Sequence, residues 1–549
     1  MRISSIFLAL TLSLPILGLI LAALLGQPSP IGSDGMVSGS TLTHLWNYVL
    51  TDYIVTTLLL CFGVGIGVFI LGVGNAWLIA NYQFPGKAIF EWALILPLAV
   101  PAYVMAYLFV DFLQHAGPVQ TLLRENLGLI VSLPDPRSLG GAIWTFTMCL
   151  YPYVYLVART SFLDRSARFM EVAETLGYTS VEAFIKLVLP MARPAIFTGI
   201  ALALMEVLAD FGAVSYFGLQ TFATGIFKAW LSFGDRSAAV HLSLMLLSFV
   251  LIMFYWERHN RARQRYALTN TNTRPAIPKR LVGSHALYAF LFCALTLIFA
   301  FILPMAVLFD LVSEQGLEMD SRYWAWLKNS LSLSAFTAIL AVLCALFLAY
   351  AARLTQSKTL QGVNRLLTVG YALPGAVLGV GILSLLGLLD IAWLMSISVG
   401  VLVYAYLIRF LSAGLQSIET GLTRITPAMD GTAALLGAKP MEMIWRIHLP
   451  LLKRSVLTAL LFVFVDVMKE LPATLLLRPF NLDTLAVATY QLAFTGYLAI
   501  SGDCPETVKN HRSTNIIDNH SHLYYTKVFV IVNRNGLTCM KLAGRIRRY

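Results

Sequence analysis

Charge is what this sequence has least of. Only 12% of its 549 residues are Asp, Glu, Lys or Arg, about half the share usual in a soluble domain. Meanwhile 58% are hydrophobic and the mean hydropathy is +0.74. No single water-soluble core holds that much apolar surface, so lipid is the solvent for much of the chain. Six cysteines are present and none forms a Cys-x-x-Cys pair, which argues against a disulfide framework or a zinc site. A Gly-x4-Gly-Lys-Ser/Thr loop is also absent, so ATP binding by a Walker loop is excluded. The glycines at 63, 65, 67, 72 and 74 lie inside an apolar run, where small residues permit close helix packing. His511, His520 and His522 form only an isolated His-x-His pattern in a polar tail. No catalytic residue, resident metal or cofactor is expected.

The formal net charge is +11, from 39 basic and 28 acidic residues. The basic residues sit in short loops beside apolar runs, which points to membrane topology and away from nucleic acid. A helix needs about 20 apolar residues to cross the hydrocarbon layer. Eleven candidate spans satisfy or approach that: Ile3–Leu25, Ile54–Ala80, Trp92–Val110, Ala142–Ala158, Ala195–Val214 and Ala239–Trp256, then Leu287–Leu308, Leu331–Ala352, Leu366–Leu389, Trp393–Ile408 and Val456–Met468. The first run is longer than a signal-peptide core of ~7–15 residues and reads as a span. The loops carrying Arg159, Arg165 and Arg168, then Arg258 to Arg265, then Arg353, Lys358 and Arg365 all fall on one side if the N-terminus is cytoplasmic. Residues 26–53 hold no Lys or Arg.

An internal repeat organises the chain. Glu171-Val-Ala-Glu-Thr-Leu-Gly177 lies 260 residues before Gly431-Thr-Ala-Ala-Leu-Leu-Gly437, and Leu187-Val-Leu-Pro190 matches Ile447-His-Leu-Pro450 in the same register. Glu206 meets Asp466, Asp210 meets Glu470, and Thr224 meets Thr484. At another offset Leu96-Pro97 resembles Leu373-Pro374. The expected organisation is a first half 1–256, a cytoplasmic linker 257–283, a second half 284–493 and an atypical polar tail 494–549. The match to the sixth span fails in that tail, as if a twelfth helix had been lost to a shifted reading frame, and a chain so altered is expected to work poorly.

The duplicated segments, Glu-Ala-Ala-x-x-x-Gly followed nine residues later by Ile-x-Leu-Pro, resemble the signature of binding-protein-dependent ABC transporter permeases. The resemblance implies an all-α polytopic membrane protein of two tandem helical-bundle halves of the MetI-like type. It further implies a bacterial inner-membrane location and two cytoplasmic loops, 168–190 and 428–450, that dock on a dimer of separate ATPase subunits. Glu171, Ala173, Gly177 and Pro190 are carried over in the first loop, and Asp430, Ala433, Gly437 and Pro450 in the second. Gly431 stands where the motif has Glu, with Asp430 one residue earlier, so the acidic contact is expected to be either displaced or absent. A periplasmic substrate-binding protein is the other implied partner. Locally, Glu171–Leu176 reads as a short helix stopped by Gly177, Thr179 and Glu182 have capping-box spacing, and Pro190 and Pro450 are expected to end helices.

Glu206 and Asp210 lie four apart, on one face of an expected helix, as do Asp466 and Glu470, with Lys469 beside the latter. Charges at membrane depth are costly and usually face protein or a water-filled path, so these five residues line a translocation path or gate, or else act as ion-pair glue at helix ends. Ala209–Gly218 with Thr221–Ile226, and Lys469–Phe480 with Asp483–Leu485, resemble the ferric iron permease branch. The expected cargo is therefore ferric iron, with thiamine or another small solute as the alternative, and an ATPase-independent secondary transporter as the reading from another class.

Overall fold

The structure is a computed structural model. It describes residues 2–25, 45–115, 117–125, 134–175, 177–265, 278–315, 321–355, 360, 362, 364, 367–391, 399–423, 425–437 and 440–501. Twelve principal helices carry it. The first half contains α1 (Arg2–Leu25), α2 (Leu50–Asn81), α3 (Ala102–Leu113), α4 (Leu139–Thr175), α5 (Leu189–Ala209) and α6 (Arg236–Arg265). The second contains α7 (Ser284–Leu297, continued through a π-helical turn Ile298–Ile302 into Leu303–Gln315), α8 (Ser321–Thr355), α9 (Gly375–Leu388), α10 (Val399–Leu422), α11 (Leu449–Met468) and α12 (Leu485–Ser501). Helices dominate because lipid offers no partner for a free N–H or C=O, and a helix satisfies its own.

Among the described residues, seven stretches are long and apolar enough to cross a membrane unbroken: Leu50–Asn81, Leu139–Leu163, Phe184–Ala209, Arg236–Glu257, Ser284–Asp310, Ser321–Arg353 and Val399–Leu422. The expected third and ninth spans are broken by proline. The chain turns by 95° between Lys87–Ala99 and Ala102–Glu125, and α9 is preceded by a 3-10 turn, Thr368–Ala372. Of the span expected at Trp393–Ile408, residues 393–398 lie outside the described residues, and α10 runs from Val399 past the expected end to Leu422. α11 reaches further back than Val456 and carries Lys453, Arg454 and Asp466. α12 was not anticipated. In the 260-residue register it begins where the first half has the short helix Phe222–Phe227. The first half breaks at Gly234, whose φ is +65°, and Asp235 then caps α6. Phe494 and Thr495 occupy the matching positions, which leaves no glycine at the place of that break. Residues 502–549, and with them the expected loss of a twelfth span, lie outside the described residues.

Tandem repeat does not mean side-by-side halves. α1 packs against α9 of the other half. A Cβ on Gly18 would lie 2.9 Å from the Gly381 carbonyl, and one on Gly381 would lie 2.6 Å from the Pro15 carbonyl, so the backbones touch where only glycine fits. Reciprocally, α7 lies against the first half. Phe292 reaches Gly74, Phe290 stacks edge-on with Phe90, and Phe299 with Trp144. Thr296 accepts a hydrogen bond from Asn75 at 3.3 Å. Each half thus lends its first helix to the other.

A candidate translocation cavity and two matching loops

Between the halves lies a cavity of about 100 Å³. Its walls come from equivalent places in the two repeats: the chain entering α3, the ends of α5 and α11, and the middles of α4 and α10. The entries match in detail. Pro101 (φ −60°, ψ 141°) and Pro374 (φ −61°, ψ 139°) each follow a 3-10 turn and cap the next helix. The structural partner of Leu373-Pro374 is therefore Val100-Pro101, not Leu96-Pro97. A proline with fixed φ and no N–H suits that position, and two similar dipeptides four residues apart are easily misaligned by sequence.

Glu206, Asp210, Asp466, Lys469 and Glu470 all line this cavity, together with Tyr103, Tyr153, Tyr371 and Arg409. Their arrangement corrects the expectation of two carboxylates on one helix face. α5 ends at Ala209 and α11 at Met468, and Asp210 and Glu470 lie in the breaks that follow. The Asp210 carboxylate accepts from the backbone N–H groups of Ala213 (2.8 Å) and Val214 (3.3 Å). The Glu470 carboxylate accepts from that of Ala473 (3.0 Å). Each carboxylate thereby caps the short helix beyond, Gly212–Tyr216 or Pro472–Leu477, where N–H groups lack intrahelical partners. Glu206 remains on α5 and accepts from the hydroxyls of Tyr371 (3.1 Å) and Tyr153 (3.4 Å). Lys469 pairs with Asp466 at 2.9 Å.

Arg409 was missed by sequence reasoning. It is buried on α10 and pairs with Glu470 at 2.7 Å. The sole Arg or Lys of the helix Val399–Leu422, set among apolar neighbours, was the available signal. Four carboxylates and two cations therefore face the cavity, a formal balance of −2 with all six ionised. Among the described residues no group of three His, Cys, Asp or Glu is placed to hold a metal ion, so the cavity has no closed coordination cage.

The two loops differ more than their sequences do. Gly177 and Gly437 are exposed turn residues at φ +71° and +81°, with no atom of the described residues beyond their chain neighbours within 4 Å of a would-be Cβ. Ahead of Gly177 the helix is not short: α4 runs unbroken to Thr175. The side chains of Glu171 and Ala173 lie outside the described residues. In the second half Pro427 starts a separate helix, Pro427–Leu435, whereas Ala167 stands at the matching position. Alanine keeps its N–H and has the highest helix propensity, so α4 continues there. The Thr179–Glu182 capping box forms, with the Thr179 N–H donating to Glu182 at 3.1 Å and the Glu182 N–H to Thr179 Oγ1 at 3.3 Å. That backbone bond and the Lys186 ammonium at 3.1 Å hold the Glu182 carboxyl below the usual range.

Pro190 and Pro450 do not end helices. Each sits in the first turn of α5 or α11, directly after a π-helical turn, Phe184–Val188 or Ile444–His448. Leu189 donates back to Phe184 across the wider turn, which absorbs the donor that proline lacks. Ala433 is buried and turned away from solvent, while Leu435 and Leu436 are 90% and 83% exposed. Asp430 is engaged inward. Its carboxylate accepts from Arg353 (2.6 Å) and from His448 Nε2 (2.8 Å), and Arg353 also donates to the Leu422 and Ile425 carbonyls at 3.0 and 2.9 Å. Partial burial alone would raise the Asp430 pKa, but the Arg353 and His448 contacts outweigh it and hold the carboxyl below its ordinary value. At the corresponding place in the first half the contacts are aromatic, with Trp77 against Phe184 and Phe162.

Both loops lie at one end of the bundle. Phe184 packs on Trp77 at the end of α2, and the next two residues, Tyr82–Gln83, pair with Lys279–Arg280 just ahead of α7. α7 leaves that end and α8 returns to it, where Arg353 binds Asp430.

Residues 70–266 match the family described as binding-protein-dependent transport system inner membrane component. The Fe(3+)-transport system permease protein FbpB 2 of Haemophilus influenzae is 29% identical over 450 residues, covering 80% of this chain and 84% of that protein. The molybdenum transport system permease protein ModB of Escherichia coli is 26% identical over 213 residues, 38% of this chain and 89% of its own. The sulfate transport system permease protein CysT of Salmonella typhimurium is 24% identical over 261 residues, 46% and 87% respectively.

Proposed function

We propose that this chain, a multi-pass inner-membrane protein similar to the binding-protein-dependent transport family over residues 70–266, is the ferric iron permease of an ABC importer. The observation that carries the cargo reading is the charge of the cavity between the halves: four carboxylates and three tyrosines against two cations. Carboxylate oxygens suit a hard cation, and an excess of them repels an oxyanion such as molybdate or sulfate. The likeness to the Haemophilus influenzae protein supports the same choice. An open, incompletely coordinating cavity suits passage, since a conducting site has to bind weakly enough to release.

In this reading a periplasmic binding protein selects the ion and an ATPase dimer on the cytoplasmic side supplies the work. The N-terminus is cytoplasmic, so the loops bearing Gly177 and Gly437 meet the ATPase. Residues 1–256 and 284–493 form the two permease halves. The two-state cycle needs no chemistry in the membrane: nucleotide binds one state of the assembly more tightly and shifts the population.

Reconstituted transporter in liposomes tests this. ATP-dependent uptake of labelled ferric ion from its binding protein is expected, with no uptake of labelled molybdate or thiamine, and Glu206→Gln should lower ferric uptake by at least about tenfold. Uptake of ferric ion without any ATPase would replace the reading with a secondary transporter, and uptake of molybdate or thiamine in its place would overturn the cargo.

A further inference from the structure

Arg409 and Glu470 break the symmetry of the cavity. In the 260-residue register Arg409 matches Cys149, and Glu470 matches Asp210. Both acids cap a helix at a break, yet they are served differently. Glu470 has a guanidinium at 2.7 Å, whereas among the described residues Asp210 has two backbone amides and no cation within ion-pair distance. The pair is also built in by its neighbours: a Cβ on Gly375, just after Pro374, would fall 2.5 Å from Glu470 Oε1 and 2.7 Å from Arg409 Nη1. Only glycine leaves room there. Among the described residues the buried Nε of Arg409 has no hydrogen-bond partner, so this arrangement does not satisfy the guanidinium fully.

Resting on the cation reading above, we propose that Arg409 sets how tightly the cavity holds its cargo, as a tethered counter-cation that pairs with Glu470 between passages and withdraws from it as a multivalent cation passes. The carboxylates stay neutralised enough to remain buried between cycles, and the approaching ion competes with a charge that cannot leave. Tight trapping is thereby prevented: with Arg409 the acids yield the ion again, and without it they hold it. Lys469 does not duplicate this role, because it belongs to Asp466 on its own helix turn.

The test uses the full chain copurified with its ATPase in nanodiscs, with terbium(III) as a hard trivalent probe whose luminescence is sensitised by tyrosine. Arg409→Gln is expected to tighten terbium binding by at least about tenfold, to slow ferric uptake at saturating supply, and to leave ATPase copurification intact. Arg409→Lys keeps the charge and should bind terbium as the parent does. Glu470→Gln should weaken binding by a similar factor, and it carries the test if Arg409→Gln does not assemble. Unchanged or weaker binding in Arg409→Gln, or unchanged binding in Glu470→Gln, would overturn the role of Arg409 while leaving the cation path intact. Absence of saturable terbium binding by the parent chain, with no change in Glu206→Gln, would instead overturn the cation reading itself.

Discussion

Gly437 and Asp430 sit seven residues apart and constrain the second loop by different means. Gly437 acts through its backbone. At φ +81° an L-residue loses about 1–2 kcal/mol, and since nothing surrounds it, that strain is the whole effect of adding a methyl group. Gly437→Ala should therefore reduce copurification of the ATPase, whereas Gly437→Asn, which tolerates the left-handed region, should retain more of it. If both variants copurify equally, the turn geometry does not matter for docking. Asp430 acts through its charge. Its carboxyl is held below the unfolded value of about 3.9, so its stabilising contribution is present above that value and is lost only as pH falls through the lower folded one. Hydrogen exchange in residues 427–437, corrected for the intrinsic pH dependence, should stay constant from neutral pH to about 5 and rise below about 4. A rise already at pH 6 would show that this carboxylate is not what holds the loop. The glycine was legible from its motif, but the ion cluster was not, since Arg353, Asp430 and His448 come from three separate segments.

At the scale of elements, the helix Pro427–Leu435 depends on Arg353, which closes the end of α10 through the Leu422 and Ile425 carbonyls and binds Asp430 besides. Hydrogen bonds of this charged kind contribute about 1.5–3 kcal/mol each when one partner is removed, less at a partly exposed site. Arg353→Ala should thus loosen Pro427–Leu435 more than Asp430→Asn does, seen as faster proteolysis of that segment with little change in α4 and the first loop. Equal loosening of both loops would mean that the effect is global. The π turns before Pro190 and Pro450 belong to this scale as well. The prolines were visible in the sequence and suggested helix ends, but a wider turn lets the helix absorb the missing donor, and only the three-dimensional path reveals that solution.

For the molecule as a whole, the exchange of first helices ties the halves into one unit. Gly381 is where α1 and α9 touch, and a side chain there meets the Pro15 carbonyl. Overpacking of this kind costs about 1–3 kcal/mol, so Gly381→Leu should lower the thermal midpoint of the protein and free α1 to proteolysis, with no local change in the loops bearing Gly177 and Gly437. A thermal midpoint equal to the parent's would contradict the close contact. The exchange also explains why the cavity can be both central and asymmetric, because each wall joins residues from the same repeat position but not of the same type.

Composition and the two matched loop segments were enough to point to an all-helical membrane chain, its repeat and its likeness to binding-protein-dependent permeases, because hydrophobic length and local turn chemistry are properties of contiguous residues. The breaks at Asp210 and Glu470, the pairing of Val100-Pro101 with Leu373-Pro374, the placement of Arg409 and the crossing of α1 and α7 between halves were decided only by the tertiary structure. Each depends on which distant surfaces meet, and a buried charge in a lipid-embedded helix takes its meaning from the partner it finds there.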